Sequence, residues 1–422
     1  MTKSKWKAFV LGFVISLGLH MIGCRSDTKK SGEAGIPEIE NALKMELSFG
    51  DRALPEEYLL ADPQGIAVDD TGNLLVADEF HVKIFDPKGE PLERLGGQGQ
   101  GPGEFQEPSK PELGPSGFLS VWSSFSEFNI YRPDLTYLDK YQARADPDLR
   151  ELCFRENLTF NYVTHLIALD EEHRLFHLFG RNRNLPGLFP VFKYLLLSQG
   201  GSIEVLVKHH SKAYVLNNRG GSTDSPFLGS FHWALMAQNR LLYAQTHPTE
   251  NPGGGSGPKY ILNLLDLGNR SLSQITVDYE PIPLPQVLKE LKPQHFREID
   301  LTIDVPENLQ SALNQVDFFP AFKALRTDGD LIFVFMFNPE NEKLEQLIQK
   351  ADREGEELPT GIYEKFEPYS VDVVDAAAGR LIARAQFPCL PDLIKHGRAY
   401  RLFKPADDFP KVECYRVDQV LY

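Results

Sequence analysis

Five polar side chains share one register of a repeated strand–turn–strand pattern. With the repeats aligned on the apolar position of Leu74, the set is Gln64, Lys110, His165, His232 and Lys323, each about nine or ten residues before that position, with Lys323 one step further along. Such groups could converge on one opening and bind a ligand there. Neutral His165 and His232 could also bind a metal or act as acid and base near pH 7. The alternative is that each histidine is a half-buried strand residue hydrogen-bonded to the backbone.

The elements that would position these side chains are clearest between residues 63 and 96. Four short β-rich segments, at 66–69, 74–77, 82–85 and 91–95, alternate with turns rich in Asp, Asn, Gly and Pro. Four strands in about 40 residues, joined by tight turns, are typical of one β-propeller blade. The innermost strands of a propeller start at one face of its central channel, which is where we expect the five side chains.

Weaker copies of the same hairpin follow along the chain. They lie at residues 115–121, 166–176, 234–243, 324–335 and 393–403. Together with the first, they predict an all-β, six-bladed β-propeller. Residues 45–49 could complete the last blade beside residues 414–417, which would pair edges that are otherwise exposed.

The segment from Gly65 to Phe105, with its glycine-rich run at residues 96–105, resembles an NHL-type blade and its inter-blade loop. The whole chain resembles the six-bladed, NHL/TolB-like β-propeller lipoproteins of bacteria. This resemblance implies a binding or scaffold module without a cofactor, and it implies that Asp78 accepts hydrogen bonds from the backbone. The run itself lacks the Gly-Lys-Ser/Thr ending of a phosphate-binding loop, and loop positions that need positive φ explain its glycines.

Some six-bladed relatives are enzymes, such as lactonases and amidating lyases, which hold Ca²⁺ or Zn²⁺ in the channel. The resemblance therefore leaves open a channel-centred hydrolase or lyase that uses a metal ion. Calcium prefers six to eight oxygen ligands, mainly from acidic side chains and Asn. Here the acids lie in turns, as at Asp69, Asp170 and Asp328, rather than at the inner-strand starts. No familiar hydrolase or redox motif accompanies them.

Two segments interrupt the blade pattern. Residues 283–316 and 339–356 have the apolar spacing of helices, and Leu344, Leu347 and Ile348 form one stripe in the second. We interpret both as small helical insertions packed on the rim of a blade. The alternative is a partner-docking surface, which would leave the stripe exposed.

The first residues predict a destination outside the cytoplasm. Three lysines precede an apolar run at residues 8–22, which suits a signal peptide better than a membrane span of about 20 residues. The run ends at Gly23-Cys24 and so resembles a bacterial lipobox. We expect residues 1–23 to be a lipoprotein signal peptide, Cys24 to be acylated, 24–43 to be a flexible tether and 44–422 to be the propeller. The alternatives are an uncleaved anchor and an ordinary secretory signal.

The net charge limits the classes of ligand that the protein can bind. The chain has 44 basic and 59 acidic residues, and losing the three lysines of the signal leaves a net charge of −18. Such a surface repels phosphate backbones, so we exclude nucleic acid and expect an envelope protein, peptide or glycan as ligand, with the acylated Cys24 in a membrane. We therefore expect the protein in the bacterial cell envelope, facing the periplasm or the exterior.

The cysteines leave two alternatives open. In an oxidising compartment Cys389 and Cys414 could form a disulfide, or both could be buried free thiols.

Overall fold

Six blades of four antiparallel strands form a β-propeller, as the repeats predict, and one further strand joins the sheet of blade 5. Before the first blade lie β1 (Glu38–Ile39) and β2 (Leu43–Phe49). Blade 1 contains β3 (Pro63–Val68), β4 (Leu74–Asp78), β5 (His81–Phe85) and β6 (Pro91–Leu95); blade 2 contains β7 (Ser109–Leu113), β8 (Leu119–Ser124), β9 (Glu127–Tyr131) and β10 (Tyr137–Gln142). Blade 3 contains β11 (Leu158–Ala168), β12 (His173–Asn182), β13 (Val191–Gln199) and β14 (Ser202–Ser211), and a two-stranded ribbon of β15 (Tyr214–Leu216) and β16 (Ser222–Asp224) follows it.

The remaining blades follow in the same order. Blade 4 contains β17 (Phe231–Met236), β18 (Arg240–Gln245), β19 (Lys259–Asp266) and β20 (Leu272–Asp278); blade 5 contains β21 (Phe322–Asp328), β22 (Leu331–Met336), β23 (Tyr369–Asp375) and β24 (Arg380–Phe387); blade 6 contains β25 (Leu393–Lys395), β26 (Arg398–Phe403) and β27 (Lys411–Val417). Among the described residues, the helices α1 (Pro147–Arg155) and α2 (Gln286–Lys289) lie between blades.

These features belong to a computed structural model. It describes residues 36–50, 54–124, 126–182, 191–211, 214–216, 222–224, 230–246, 258–289, 316–337, 346, 349–350, 353, 368–405 and 408–422. The predicted signal peptide, Cys24 and most of the predicted tether lie outside these ranges. Most of the two predicted helical insertions lies outside them too, including the Leu344 stripe. Among the described residues, no helix combines the length and the apolarity that a membrane span requires.

The ring is closed by the first strands of the described chain. The strand β2 pairs antiparallel with β27, so it supplies the outermost strand of blade 6 at the place that the sequence predicts. The strand β1 adds to blade 5, where it pairs in parallel with Arg384 and Ala385 of β24. The last part of the segment assigned to the tether is therefore held on the propeller, and the compact unit begins at Ile36.

The core lies between neighbouring blades. Successive strand residues point to opposite faces, and both faces of a blade are covered by its neighbours, so the second strands are largely buried. All five residues of β4 are buried, whereas three of the five residues of β6 at the outer edge are exposed. Burying each large aliphatic side chain contributes about 1.5–3 kcal/mol, so these interfaces hold the ring together.

The glycine-rich run links blades 1 and 2 through backbone conformations that favour glycine. Gly96 and Gly103 have φ of +80° and +77°. A Cβ atom on Gly96 would lie 2.4 Å from the ring of Phe105, which is fully buried. The run is thus a tight inter-blade loop, as its composition predicts.

The helix α1 was not predicted from the sequence. Asp146 caps its N-terminus by accepting hydrogen bonds from the backbone N–H groups of Asp148 and Leu149, and Pro147 occupies the first turn. Leu149 and Leu152 of this helix pack into the apolar cluster shared by blades 2 and 3. The segment is short and joins two blades, so a search for the strand periodicity of the blades does not detect it.

Cys389 and Cys414 are both buried and are not joined by a disulfide, which is the second of the two alternatives that the sequence leaves open. Cys414 belongs to the cluster between blades 6 and 1, whereas Cys389 packs with Tyr415 in the cluster between blades 5 and 6. Because Cys414 and Tyr415 are consecutive on β27, their side chains point to opposite faces of the sheet. The two sulfur atoms therefore lie on opposite sides of one blade.

Candidate functional site

Bulges interrupt the pairing of four inner strands with the second strand of their blade. The pairing with the second strand shifts at Gln64 in β3, at Lys110 and Pro111 in β7, at Thr164 in β11 and at Lys323 in β21. A bulge leaves its extra residue out of the ladder and redirects the side chain. Three of the five predicted site residues are thus bulge residues, and His165 directly follows one.

Lys110 and His165 are brought together at the junction of blades 2 and 3. The Nζ atom of Lys110 donates to the backbone oxygen of Thr164 at 3.4 Å and lies 5.4 Å from the centre of the Trp122 ring. Desolvation of this ammonium lowers its pKa, and the charge of Glu112 partly opposes that shift. A cation placed over an indole is stabilised by the negative face of the ring.

Glu112 pairs with His165 across the same junction. One carboxylate oxygen, Oε1, contacts Nδ1 of His165, and the two side chains are 19% and 32% exposed. The other oxygen, Oε2, is buried and has no hydrogen-bond partner among the described residues. A buried acceptor without a partner costs about 1–3 kcal/mol, so this atom marks a place where a donor from a ligand would fit.

His177 lies behind His165 on the next strand of blade 3. Its Nδ1 is 2.5 Å from Oγ1 of Thr164, and its Nε2 is buried without a partner in the described part of the chain. Its ring centre is 5.8 Å from that of His165 and 5.7 Å from that of Trp233 on blade 4. Burial keeps the pKa of His177 well below its usual value, and the nearby charges of His165 and three other basic groups lower it further.

We refer to these side chains as the mouth cluster. Its members are Lys110, Glu112, Thr164, His165, His177 and Trp233. They come from the inner strands of three consecutive blades and from the second strand of blade 3. The cluster contains a carboxylate, an ammonium, imidazoles, a hydroxyl and an indole, which together can bind a polar ligand through several hydrogen bonds.

The other three predicted residues make their described side-chain contacts with groups outside the mouth cluster. Gln64 is exposed and donates to the backbone oxygen of Asp62 at 3.3 Å. Nζ of Lys323 lies 4.2 Å from the centre of the Tyr369 ring in its own blade. The ring of His232 lies 5.8 Å from that of Phe322 on blade 5, and burial lowers its pKa to about 3.

The predicted pairing of His165 with His232 is not formed. His165 packs on Trp233, with 5.5 Å between ring centres. Since His232 and Trp233 are consecutive on β17, His232 faces blade 5, away from the mouth cluster. Within the described ranges, no group of three His, Cys, Asp or Glu side chains has the arrangement of a metal site.

A groove of about 650 Å³ adjoins the mouth cluster on the same face. It is lined by the glycine-rich loop and by the ends of strands in blades 1 and 2; the lining residues are Phe80, Gln98, Gly99, Gln100, Phe105, Gln106, Glu107, Trp122 and Ser124. Trp122 borders the groove and also lies under the ammonium of Lys110. The groove therefore offers amide side chains and aromatic surface directly beside the mouth cluster.

The sequence pattern missed Glu112, His177 and Trp233. Glu112 lies two residues after Lys110 on the same inner strand, so a search along this strand beyond Lys110 would have included it. His177 is on a second strand, where the register argument does not apply. The pattern selected His232 rather than its neighbour Trp233, because only the orientation of β17 shows which of the two side chains points toward the mouth cluster.

Known proteins resemble this chain only distantly. No family model matches the chain, and no curated protein matches it. Solved structures do: one is a protein from Bacteroides fragilis, at 9% identity over 90% of this chain and 99% of that chain, with a TM-score of 0.45. Another is BamB from Moraxella catarrhalis, at 12% identity over 84% of each chain and a TM-score of 0.30. A third is the β-propeller domain of the Trilobed protease from Pyrococcus furiosus, at 10% identity over 82% of this chain and 79% of that chain, with a TM-score of 0.29.

Proposed function

We propose that this chain is a lipid-anchored, extracytoplasmic binding module that takes a protein, peptide or glycan on the face of its channel where the inner strands start. The observation that carries this proposal is the groove of about 650 Å³ that borders the mouth cluster through Trp122. Binding grooves combine apolar and aromatic surface with a few polar groups that fix orientation. The groove and the cluster together have this composition.

The polar rim of the groove gives the most direct test of the binding function. Gln100 and Gln106 are exposed lining residues, so their replacement should leave the fold intact. The full-length chain, extracted in detergent, is applied to an array of purified glycans and to an array of synthetic peptides. The double variant Gln100→Ala/Gln106→Ala should bind about fivefold or more weakly to the ligand that the wild type selects, because each lost hydrogen bond costs about 1 kcal/mol.

A matched control separates this effect from a general loss of amide groups. Gln274 is an exposed glutamine on the outer strand of blade 4, where it donates to Oδ1 of Asn263. Gln274→Ala should bind as the wild type does. A ligand bound equally well by the double variant and the control would contradict the placement of the site in this groove.

The anchor is tested separately at Cys24. The apolar run at residues 8–22 and the Gly23-Cys24 junction support acylation of this cysteine. In a bacterial host, the wild type should incorporate labelled palmitate and fractionate with membranes, and Cys24→Ala should do neither. A Cys24→Ala chain that still carries the label would contradict the proposed anchor.

A further inference from the structure

The groove beside the mouth cluster is lined mainly by amide side chains and aromatic rings. Of its nine described lining residues, three are glutamines, three are aromatic and none is aliphatic. Sites for apolar ligands, including apolar peptide side chains, are lined predominantly by hydrophobic residues. The composition of this groove therefore favours a ligand that carries polar groups along its whole length.

The three amide groups are available to such a ligand. Gln98, Gln100 and Gln106 are exposed, and their amides have no hydrogen-bond partner in the described part of the chain. Each amide has two N–H donors and an acceptor oxygen, and a sugar hydroxyl is likewise both donor and acceptor. A row of hydroxyl groups can therefore use both halves of each amide, whereas a carboxylate or an ammonium group would use only one.

Two half-buried rings supply the apolar surface of the groove. Phe80 comes from the turn between β4 and β5 of blade 1, and Trp122 comes from β8 of blade 2. The indole Nε1 is buried, so Trp122 presents ring surface to the groove rather than a donor. A sugar ring has a face of C–H groups that packs on such a surface, and its edge carries the hydroxyls.

The backbone of blade 1 holds Phe80 at the groove. Asp78 pairs with His81 across the hairpin, so Glu79 and Phe80 form a two-residue turn. Glu79 has a φ of +53°, in the left-handed region that favours glycine. The turn thus fixes the direction of Phe80 although its first position is strained, and such strain is concentrated where side chains contact ligands.

The charges around the groove favour a neutral ligand. Among the nine lining residues, Glu107 alone is charged, and it is exposed. Two lysines lie nearby without lining the groove: Lys140 donates to the backbone oxygen of Gln100 at 3.0 Å, and Lys110 donates to that of Thr164 at 3.4 Å. An anion in the groove would meet the carboxylate of Glu107, whereas a hydroxyl group can donate to it.

We propose that the groove binds a short segment of a neutral glycan, with sugar rings packed on Phe80 and Trp122 and hydroxyl groups paired with the three glutamines and Glu107. Its volume of about 650 Å³ suits a small ligand, so it accommodates a few sugar units rather than the surface of a folded protein. This inference rests on the proposed binding function and names the ligand class for it.

Oligosaccharides and peptides of equal length are the probes that test this assignment. They are neutral hexasaccharides of glucose, galactose, mannose and xylose, together with hexagalacturonate and a set of synthetic hexapeptides. Each is titrated at up to millimolar concentration into the full-length chain, in a detergent without a sugar headgroup, and binding is followed by calorimetry and by tryptophan fluorescence. At least one neutral hexasaccharide should bind about tenfold or more tightly than hexagalacturonate and than any of the hexapeptides.

Variants of the lining residues test the contacts with the selected hexasaccharide. Phe80→Ala should weaken its binding about tenfold, and Trp122→Phe should abolish the fluorescence change that it causes. Gln98→Ala changes only an exposed side chain, so it should fold normally and bind about threefold or more weakly. Phe154→Ala is the matched control, because it removes a ring that is 88% exposed on α1, and it should bind as the wild type does.

The preference for a neutral ligand is tested at Glu107. Glu107→Gln removes the negative charge from the lining, so hexagalacturonate should bind this variant about threefold or more tightly than it binds the wild type. An unchanged affinity for hexagalacturonate would contradict the role assigned to this carboxylate.

Three results would overturn the inference and leave the proposed function intact. The first is a hexapeptide that binds more tightly than every hexasaccharide and depends on Gln100 and Gln106. The second is hexagalacturonate that binds as tightly as the neutral sugars. The third is a neutral hexasaccharide whose binding is unaffected by Phe80→Ala and Trp122→Phe. By contrast, if no probe and no ligand on the arrays bound in a manner that depends on Gln100 and Gln106, the proposed function itself would fail.

Discussion

Two acid–base pairs near inner strands of the propeller differ in burial and in how completely they are hydrogen-bonded. In blade 1, the carboxylate of Asp78 accepts from Nζ of Lys83 at 2.6 Å and from the backbone N–H groups of Ala61 and Asp62. Nζ of Lys83 also donates to the backbone oxygen of Leu59 at 2.6 Å. In the mouth cluster, the Glu112–His165 pair leaves Oε2 of Glu112 without a partner.

The difference separates a structural pair from a pair in the proposed binding site. The blade 1 pair is 0% and 2% exposed, and it ties the second strand to the segment that enters the blade. The backbone bonds of Asp78 agree with what the family resemblance implies for this residue. The mouth pair is partly exposed and incompletely bonded, which is a cost that the fold bears without any gain in stability. Perturbing each pair should therefore affect different properties.

The largest expected effect is on stability, at the blade 1 pair. Lys83→Met leaves the Asp78 carboxylate buried without its counter-charge, so we expect a loss of about 3–5 kcal/mol in the free energy of unfolding, measured by urea denaturation. The double variant Asp78→Asn/Lys83→Met should recover part of this loss, because it removes both charges.

Lys404 provides the control for that experiment. Its side chain is 46% exposed and pairs with Asp62 at the surface. Lys404→Met should cost less than about 1 kcal/mol. If Lys83→Met were as mild as Lys404→Met, the blade 1 pair would have no special structural role.

The imidazoles beside the mouth cluster should make stability depend on pH. Burial, together with the charges of Lys193 and His210, lowers the pKa of His209 to about 4. Because His209 in the unfolded chain has a pKa near 6.5, the folded state binds a proton at this residue less readily than the unfolded state does. The contribution to stability is therefore complete above about pH 6.5 and is lost as the pH falls toward about 4, by at most about 1.4 kcal/mol per pH unit.

The variant His209→Gln tests this dependence. Urea denaturation at several pH values between 6.5 and 4 should show a shallower loss of stability in the variant than in the wild type. Identical slopes in the two proteins would mean that His209 does not contribute to the acid sensitivity.

A smaller effect on stability is expected at Glu112. Glu112→Gln keeps a side-chain oxygen beside His165 and removes a buried charge that is only partly bonded. We expect the free energy of unfolding to stay within about 1 kcal/mol of the wild type, in contrast with Lys83→Met. A loss of several kcal/mol would instead make this pair a structural one like that in blade 1.

The fold could be predicted from the sequence because its signals are local and repeated. Each blade begins with an inner hairpin whose turn contains Asp, Asn or Gly, and the predicted hairpin at residues 324–335 is the observed one between β21 and β22. Even the closing strand β2 could be placed, because a propeller leaves one edge that must be paired. The cap of α1 at Asp146 was equally local but was not recognised.

The candidate site was only partly predictable, because the register of a residue along the chain does not fix the direction in which its side chain points. Lys110 and His165 were predicted by their register, and both lie at the junction of blades 2 and 3. His232 shares that register but faces blade 5, since β17 has regular pairing where β11 has a bulge at Thr164. Glu112 and His177 reach the cluster from positions that only the packing of blades 2 and 3 brings together.

The smallest expected effect is at a bulge that carries an ordinary surface pair. Glu46 lies at the bulge of β2 and contacts Arg398 and Arg416 at 3.2 and 3.3 Å, on the two neighbouring strands of blade 6. The arginine side chains are 42% and 49% exposed, so water and salt screen both contacts. We expect Glu46→Gln to lower the free energy of unfolding by less than about 1 kcal/mol, with the difference disappearing in 1 M salt. A larger, salt-independent loss would show that a bulge residue can stabilise ring closure, and the bulges of the inner strands would then need the same test before being assigned to ligand binding.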